Sequence, residues 1–455
     1  MFIYKRARPF LIRCYNISMN TTKQITCLKL NDQYDSICDD NLKVKYMLPG
    51  EVANFYNRKH KVILESDINV KSKHRARVIC PVFYQCGGCD FLHIKYDEQL
   101  NMKSENVKKL YDQAGIITQH LKIVSSSVPL NYRHKVVLSA FMDKTKLKLG
   151  LYRDGSKDII PYLDCHLHDL ETNELLKTVE IVLNKYKIGA YDINKNEGIM
   201  KHILVRKSIA EQKMLLVFVT HGYLLPNHKN IIKDIVSKHP NVITVVQNIH
   251  HKKTHLVLLD EEKALYGPGY ISDQIDDLKF RLSSKSFYQV NPVQMKLLYQ
   301  LALDMANIKK TDVVMDTYSG IGTISLLAAK RAKQVIAVET NPIAHQDALF
   351  NKKMNQVNNI EFINDDVTLY MEKHQGVIDV LMMDPTREGA SESFLKSVLK
   401  LSPKKIVYIS CEPTTQIRDV MMLKSKYKVE SVQPVDMFSQ TVHVETITLL
   451  SLKTA

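Results

Sequence analysis

Beyond Tyr288 the chain alternates short, continuously apolar segments with stretches of helical pattern, and no other feature restricts its fold as much. Strands are predicted over residues 312–316, 334–339, 361–364, 377–384, 405–410, 429–438 and 443–452, with helices such as 323–332 between them. A strand apolar on both faces needs cover on both, and a parallel sheet flanked by helices supplies it. Upstream the pattern differs. Alternating strands at 24–29, 42–47, 51–54 and 61–65, with a turn at Leu48-Pro49-Gly50-Glu51, predict a small β-barrel. A polar helix is expected over 97–114. Mixed elements follow, among them strands at 134–141, 148–153, 200–207, 213–220 and 255–259, which read as an α+β domain.

At 455 residues the chain exceeds one compact domain. These patterns divide it into an N-terminal tail (1–19), a barrel (20–78), a central domain (79–98 and 130–275) and an α/β domain (99–129 and 276–455). Lys and Arg outnumber Asp and Glu by 63 to 48, and the excess is uneven: residues 281–455 carry 21 basic and 18 acidic side chains, leaving +12 for residues 1–280. A basic front and near-neutral back suit an anion-binding portion joined to a catalytic one. RNA fits, because phosphate contacts supply most sequence-independent affinity. Lys71, Lys73, His74, Arg75 and Arg77, following the barrel strands, are placed for such a grip. No apolar run approaches the roughly 18–20 residues of a membrane span, so no membrane partner is expected. The first 19 residues carry Lys5, Arg6, Arg8 and Arg13 without a clean apolar stretch, which argues against an export signal; Met19 is a second candidate start. Eight cysteines are too few for a disulfide scaffold in a chain this long. The expectation is a reducing cytoplasm, where clustered cysteines mean metal or chemistry.

The string Asp316-Thr317-Tyr318-Ser319-Gly320-Ile321-Gly322-Thr323 links the first strand of the α/β domain to its helix. Gly320 and Gly322 permit a tight turn and close approach of a ligand to the backbone. Glu339 ends the second strand, where an acid binds ribose hydroxyls, and Asp365 ends the third, near a purine edge. The third glycine of the dinucleotide fingerprint is missing, so a nucleoside cofactor without phosphates, S-adenosylmethionine, fits better than a pyrophosphate. Asp384, in Asp384-Pro385-Thr386-Arg387-Glu388-Gly389, closes the fourth strand and would face the reacting centre.

Cys411 follows the apolar run 405–410, and Glu445 starts an otherwise apolar strand. Taken singly, such a cysteine is more often a buried filler and such an acid more often faces solvent. Together they suit one reaction. Carbon-5 of uracil is too poor a nucleophile to take a methyl group unaided. Adding a thiolate to carbon-6 makes an enolate that can attack the donor, and a base then removes the carbon-5 proton so that sulfur is expelled. The thiolate must be favoured by its site, since a free cysteine titrates at about 8.5.

In this order, Phe287-Tyr288-Gln289-Val290-Asn291, the glycine turn, the Asp384–Gly389 hexapeptide, Ser410-Cys411-Glu412-Pro413 and His443-Val444-Glu445 resemble the RNA uracil-5-methyltransferases, over most of residues 280–450. The resemblance implies a Rossmann-like methyltransferase domain in which Gln289, Tyr318, Glu339 and Asp384 contact S-adenosylmethionine, Cys411 is the nucleophile and Glu445 the base. Thr386 and Glu412 depart from the usual family pattern without touching the reacting atoms.

Cys80-x5-Cys86-x2-Cys89 and Cys165 make four soft ligands, and spacing alone leaves zinc and an iron–sulfur cluster open. The ribosomal-RNA branch of the same family carries this spacing as a 4Fe–4S site, together with an RNA-binding TRAM barrel. The resemblance therefore implies a 4Fe–4S cluster in a structural role and 23S rRNA as the substrate, with transfer RNA as the alternative. Leu48-Pro49-Gly50-Glu51 fits that barrel, whereas its early glycines are replaced around residues 32–40. A radical enzyme of the C-x3-C-x2-C type has the wrong spacing. A DNA cytosine-5 enzyme places its nucleophile after a proline, while Pro413 follows Cys411. A non-catalytic RNA-binding protein would need neither Cys411 nor Glu445. No obligate protein partner is expected.

Overall fold

The computed structural model describes residues 23–56, 58, 61–254 and 256–453. The predicted tail and second start, 1–19, lie outside them. The chain divides into two compact units, Met1–Ala76 and Arg77–Ala455.

The first unit is a five-stranded antiparallel sheet in the order Lys43–Val44, Ser36–Cys38, Lys23–Leu30, Val52–Phe55, Ile68–Val70. Ile25, Cys27, Val44, Met47, Ala53 and Ile63 form its core. Two expected strands shrink. Tyr46 adopts a left-handed backbone (φ 70°), which ends the segment expected over 42–47 after Val44. At 61–65 only Val62 pairs, with Lys45, and Glu65–Asp67 forms a 3-10 turn closed by the bond from the Leu64 amide to Asp67 Oδ2 (2.8 Å). The turn predicted at Leu48–Glu51 has a function in the fold. Glu51 is fully buried and accepts from the amides of Leu48 (2.8 Å) and Ser72 (3.1 Å) and from Arg75 Nε (2.5 Å). Arg75, expected among the RNA-facing cations, is instead a buried internal ion-pair partner.

The second unit holds two large sheets. A seven-stranded sheet runs in the order Glu262–Tyr266, Val242–Ile249, Met214–Thr220, Met200–Lys207, Lys135–Asp143, Lys146–Tyr152, Ile159–Ile160. Helices Leu170–Lys185 and His228–Lys238 cover one face through Leu175, Val179, Ile231 and Ile235. The strand expected at 255–259 is not formed by the described residues there; the pairing segments are Val242–Ile249 and Glu262–Tyr266 on either side.

The other sheet is the predicted α/β domain. Its strands, numbered within the domain, are β1 (Val313–Thr317), β2 (Gln334–Val338), β3 (Ile360–Ile363), β4 (Val380–Met383), β5 (Lys405–Ser410), β6 (Tyr427–Val435) and β7 (Glu445–Leu452), in the order β3-β2-β1-β4-β5-β7-β6. β1 to β5 are mutually parallel and β7 enters antiparallel between β5 and β6. The short strand Gln119–His120 pairs with β6 at the edge. Alternate side chains go to opposite cores. Val314, Ala337, Met382, Val407 and Ile447 pack beneath Met295, Leu298 and Ala302 of helix Pro292–Ala306. Met315, Val338, Met383 and Tyr408 pack on the other face with Val107, Tyr111, Phe394 and Val420. Burial on both faces explains why these strands read as unbroken apolar runs. Their C-terminal ends share one edge, where ligands of such sheets bind.

Candidate active site

At that edge β1 turns into helix Thr323–Ala329 with three left-handed residues: Tyr318 (φ 64°), Gly320 (φ 55°) and Gly322 (φ 82°). A Cβ on Gly322 would lie 2.6 Å from the Phe362 ring, so glycine is required there twice over. Glu339, at the end of β2, holds the turn in place: its Oε2 accepts from the Gly320 amide (2.8 Å) and its Oε1 from that of Asn341 (2.7 Å). A carboxylate offers about four acceptor positions, so two remain for a ligand. Asp365 follows β3 and accepts from the Asp366 amide (2.8 Å). Tyr318 stands against Phe394, ring centroids 5.7 Å apart, and burial pushes its hydroxyl up to about 12. Gln289 is buried two residues ahead of Asn291, which caps helix Pro292–Ala306 and donates to Met437 O (3.0 Å).

The reacting groups expected from the sequence converge on the adjoining strand ends. Ser410 of β5 pairs with Thr446 of β7, so Cys411 and Glu445 are the next residues outward on two hydrogen-bonded antiparallel strands. Glu445 is only 2% exposed. Burial, reinforced by Asp384, raises its carboxyl to about 8, against an opposing pull from the Arg387 guanidinium. Burial likewise lifts Asp384 to about 7, with help from Asp316, which burial itself raises to about 7 although Ser325 Oγ donates to it (2.5 Å). The Cys411 thiol is pushed up to about 11 by burial and by Glu445, while the nearby Arg387 guanidinium acts in the opposite sense. A cluster of buried acids with one guanidinium stabilises added positive charge. A sulfonium placed there would favour ionisation of both Cys411 and Glu445.

Several neighbours of these groups do not stand out in the sequence. Tyr299, in mid-helix, feels Asp384 and Glu445 on its buried hydroxyl. Arg387 is visible in the sequence only as part of a motif. Its loop is pinned to helix Pro413–Leu423 by Thr415 Oγ1, which donates to Arg387 O (3.0 Å), and by buried Asp419, which accepts from the Ala390 amide (2.7 Å). A Cβ on Gly389 would meet Asp419 at 2.6 Å, and this close approach explains the glycine that ends the hexapeptide. The i+4 and i+8 spacing of Thr415 and Asp419 after Cys411 is the signal that was available.

Four of the five cysteines of the second unit also lie near one another. Cys80, Cys86, Cys89 and Cys165 are each raised first by burial, and the charges of neighbouring members of the set act on Cys80, Cys86 and Cys89. Backbone N–H groups of Val82, Gly88, and Leu167 with His168 act in the opposite sense on the thiols of Cys80, Cys86 and Cys165. Thiols met by N–H donors suit a soft metal or cluster in their chemistry. Among the described residues, however, no three such groups stand at metal-binding separation. No helix among them is long and apolar enough to cross a membrane.

The family described as tRNA (uracil-5-)-methyltransferase matches residues 95–453. The chain belongs to that family. It is accordingly an RNA-modifying methyltransferase, of the class that uses S-adenosylmethionine. An RNA methyltransferase of Bacillus cereus is 37% identical over 419 residues, 90% of this chain and 91% of its own. Another, from Oceanobacillus iheyensis, is 40% identical over 395 residues, 85% of each. A Pyrococcus abyssi tRNA (uracil-54, C5)-methyltransferase, solved in complex with S-adenosyl-L-homocysteine, has the same fold: TM-score 0.77 at 24% identity, covering 94% of this chain and 99% of that one. The match to the tRNA (uracil-5-)-methyltransferase family leaves out the first unit and the segment bearing Cys80, Cys86 and Cys89.

Proposed function

We propose that this protein methylates carbon-5 of a specific uridine through a transient bond between Cys411 and carbon-6 of the ring. The observation that carries this reading is the pairing of Ser410 with Thr446, which makes a thiol and a buried carboxylate neighbours at the mouth of the sheet. Cys411 adds to carbon-6, and carbon-5 takes the donor's methyl group. Glu445 then accepts the carbon-5 proton, the sulfur–carbon bond breaks and the thiolate is restored. S-adenosylmethionine supplies the methyl group. Gln289, Tyr318, Gly320, Gly322, Glu339, Asp365 and Asp384 form its cradle, with Asp384 beside the sulfonium. The target base must leave its stack to reach Cys411, at a cost of a few kcal/mol. The basic excess of residues 1–280 supports phosphate contacts that offset this.

Cys80, Cys86, Cys89 and Cys165 hold a 4Fe–4S cluster in this reading, with zinc as the alternative. Supporting it are four thiols of one neighbourhood and the N–H groups directed at three of them. The first unit serves as a TRAM-like RNA-binding module. The substrate is 23S rRNA. Transfer RNA is the second reading, favoured by the description of the family and by the activity of the Pyrococcus abyssi protein. Disrupting the gene and mapping 5-methyluridine across ribosomal and transfer RNA separates the two. Loss from 23S rRNA is expected, and loss confined to tRNA contradicts it. Iron and acid-labile sulfide in protein purified anaerobically test the cluster; a colourless, zinc-loaded product overturns it.

A further inference from the structure

Glu445 is delivered to the site by the loop that runs from Asp436 to Val444. The loop turns through a non-glycine residue, Gln440, in the left-handed region (φ 68°). That conformation is strained for a residue with a side chain and persists only where its surroundings impose it. Here they do. Gln440 O accepts from the amides of both Asp90 and Phe91 (3.0 Å each). Gln99, itself 1% exposed, donates from its amide to Gln440 Oε1 (2.9 Å) and accepts from the Gln440 amide (3.1 Å). The same Gln99 amide reaches Phe91 O and Ile94 O, so it ties both segments together. One bond lies nearer the base than the others: Asp90 Oδ2 accepts from the Val442 amide (3.1 Å), three residues before Glu445.

We propose that Asp90 and Gln99 are positioning residues for Glu445, bracing the loop that aims its carboxylate at carbon-5. This inference rests on the assignment of Cys411 as nucleophile and Glu445 as base. Asp90 directly follows Cys89, so whatever holds Cys80, Cys86 and Cys89 in place also holds one end of the brace. A cysteine-bearing loop thereby contributes to a reaction in which its own sulfurs take no part.

The steps of the reaction separate a positioning role from a general structural one. Attack by Cys411 and methyl transfer precede the proton removal that Glu445 performs. A misplaced base therefore leaves the first steps running and delays release. With unmodified RNA substrate in single turnover, Asp90→Ala is expected to accumulate a covalent methylated protein–RNA adduct, while free product appears about tenfold to a hundredfold more slowly. KM for RNA and the iron and sulfide content are expected to stay at wild-type values. Asp90→Asn, whose amide oxygen accepts the same bond from Val442, restores release. Slowing of adduct formation and release in equal proportion, or unaltered turnover in Asp90→Ala, overturns the proposal. If Asp90→Ala does not fold, Asp90→Ser, with a hydroxyl too short to reach Val442, takes its place. Hydrogen exchange in the full chain reads the same brace without turnover: protection is lost at the Val442 amide and kept in β5 and β7, and undiminished protection at Val442 is contrary. Glu445→Gln runs alongside as the control. If that variant releases product normally, the assignment of the base has failed; if it alone traps the adduct, the brace has failed.

Discussion

One buried acid, Asp436, and a pair of buried acids, Asp384 and Glu445, lie on the same domain and are treated in opposite ways. Asp436, fully buried, has both oxygens engaged: Lys103 Nζ donates to Oδ1 at 2.6 Å, and Tyr96 and Ser439 hydroxyls donate to Oδ2 at 2.7 and 2.6 Å. Lys103 is itself 1% exposed and also reaches Phe438 O. At the candidate site Asp384 and Glu445 gain no hydrogen bond from the described residues, and the Arg387 guanidinium near Glu445 also acts on Cys411. Their carboxyls are driven up to about 7 and about 8 as a result. Satisfied burial fixes a loop in place. Unsatisfied burial stores a demand for positive charge that a donor and a substrate can meet, and functional sites are where such conflict is retained.

The contrast can be broken most severely at the thiol. Cys411→Ala is expected to reduce methyl incorporation by at least about 10⁴-fold with the fold retained, measured by transfer of labelled methyl to RNA. Residual activity near the wild-type level contradicts the assignment. Glu445→Gln is expected to slow product release about 10²- to 10⁴-fold and to leave protein bound to RNA on denaturing gels. The paired acid behaves otherwise. Lys103→Met strands Asp436 as an uncompensated buried charge and is expected to cost about 3–5 kcal/mol of stability, read from denaturant unfolding.

The smallest effect sharpens the comparison through pH. Glu445 has its folded value raised from 4.5 to about 8, so the folded state favours the protonated form. The penalty is absent below about pH 4.5, grows between there and about pH 8, and is constant above. Glu445→Gln removes it. The variant is expected to match the wild type in melting temperature at pH 5 and to exceed it by a few degrees at pH 8.5, on the order of a few kcal/mol at most. A melting difference that does not grow with pH goes against the unpaired-acid account.

Much of this was legible in the sequence. Seven of the eight strands of the α/β sheet lie within a few residues of expectation because burial on both faces leaves an unbroken apolar run, as in Lys405–Ser410; the two-residue edge strand Gln119–His120 carries no such signal. Cys411 and Glu445 could be picked out as candidates because each stands at the end of such a run, and the structure makes them neighbours through the Ser410–Thr446 pair. The front unit was less so, because its strands are two to four residues long outside Lys23–Leu30, and a single left-handed residue such as Tyr46 ends one. Val242–Ile249 was missed although it is almost wholly buried. The brace was not legible at all. Asp90 and Gln99 meet Gln440 and Val442 across most of the chain's length, and no local pattern marks a side chain whose partner is a distant backbone amide. Arg75 misled for the same reason: its charge is visible in sequence, but its buried partner Glu51 is not.

The central claim concerns one covalent bond, and a substrate that cannot complete the reaction tests it most directly. RNA carrying 5-fluorouridine at the target position offers Glu445 no proton to remove, so sulfur cannot be expelled after methyl transfer. Incubation with S-adenosylmethionine, digestion and mass spectrometry are expected to find the modified nucleotide attached to Cys411 and to no other cysteine. Methylation of ordinary RNA at full rate, with Cys411 remaining free in the fluorinated reaction, contradicts the account.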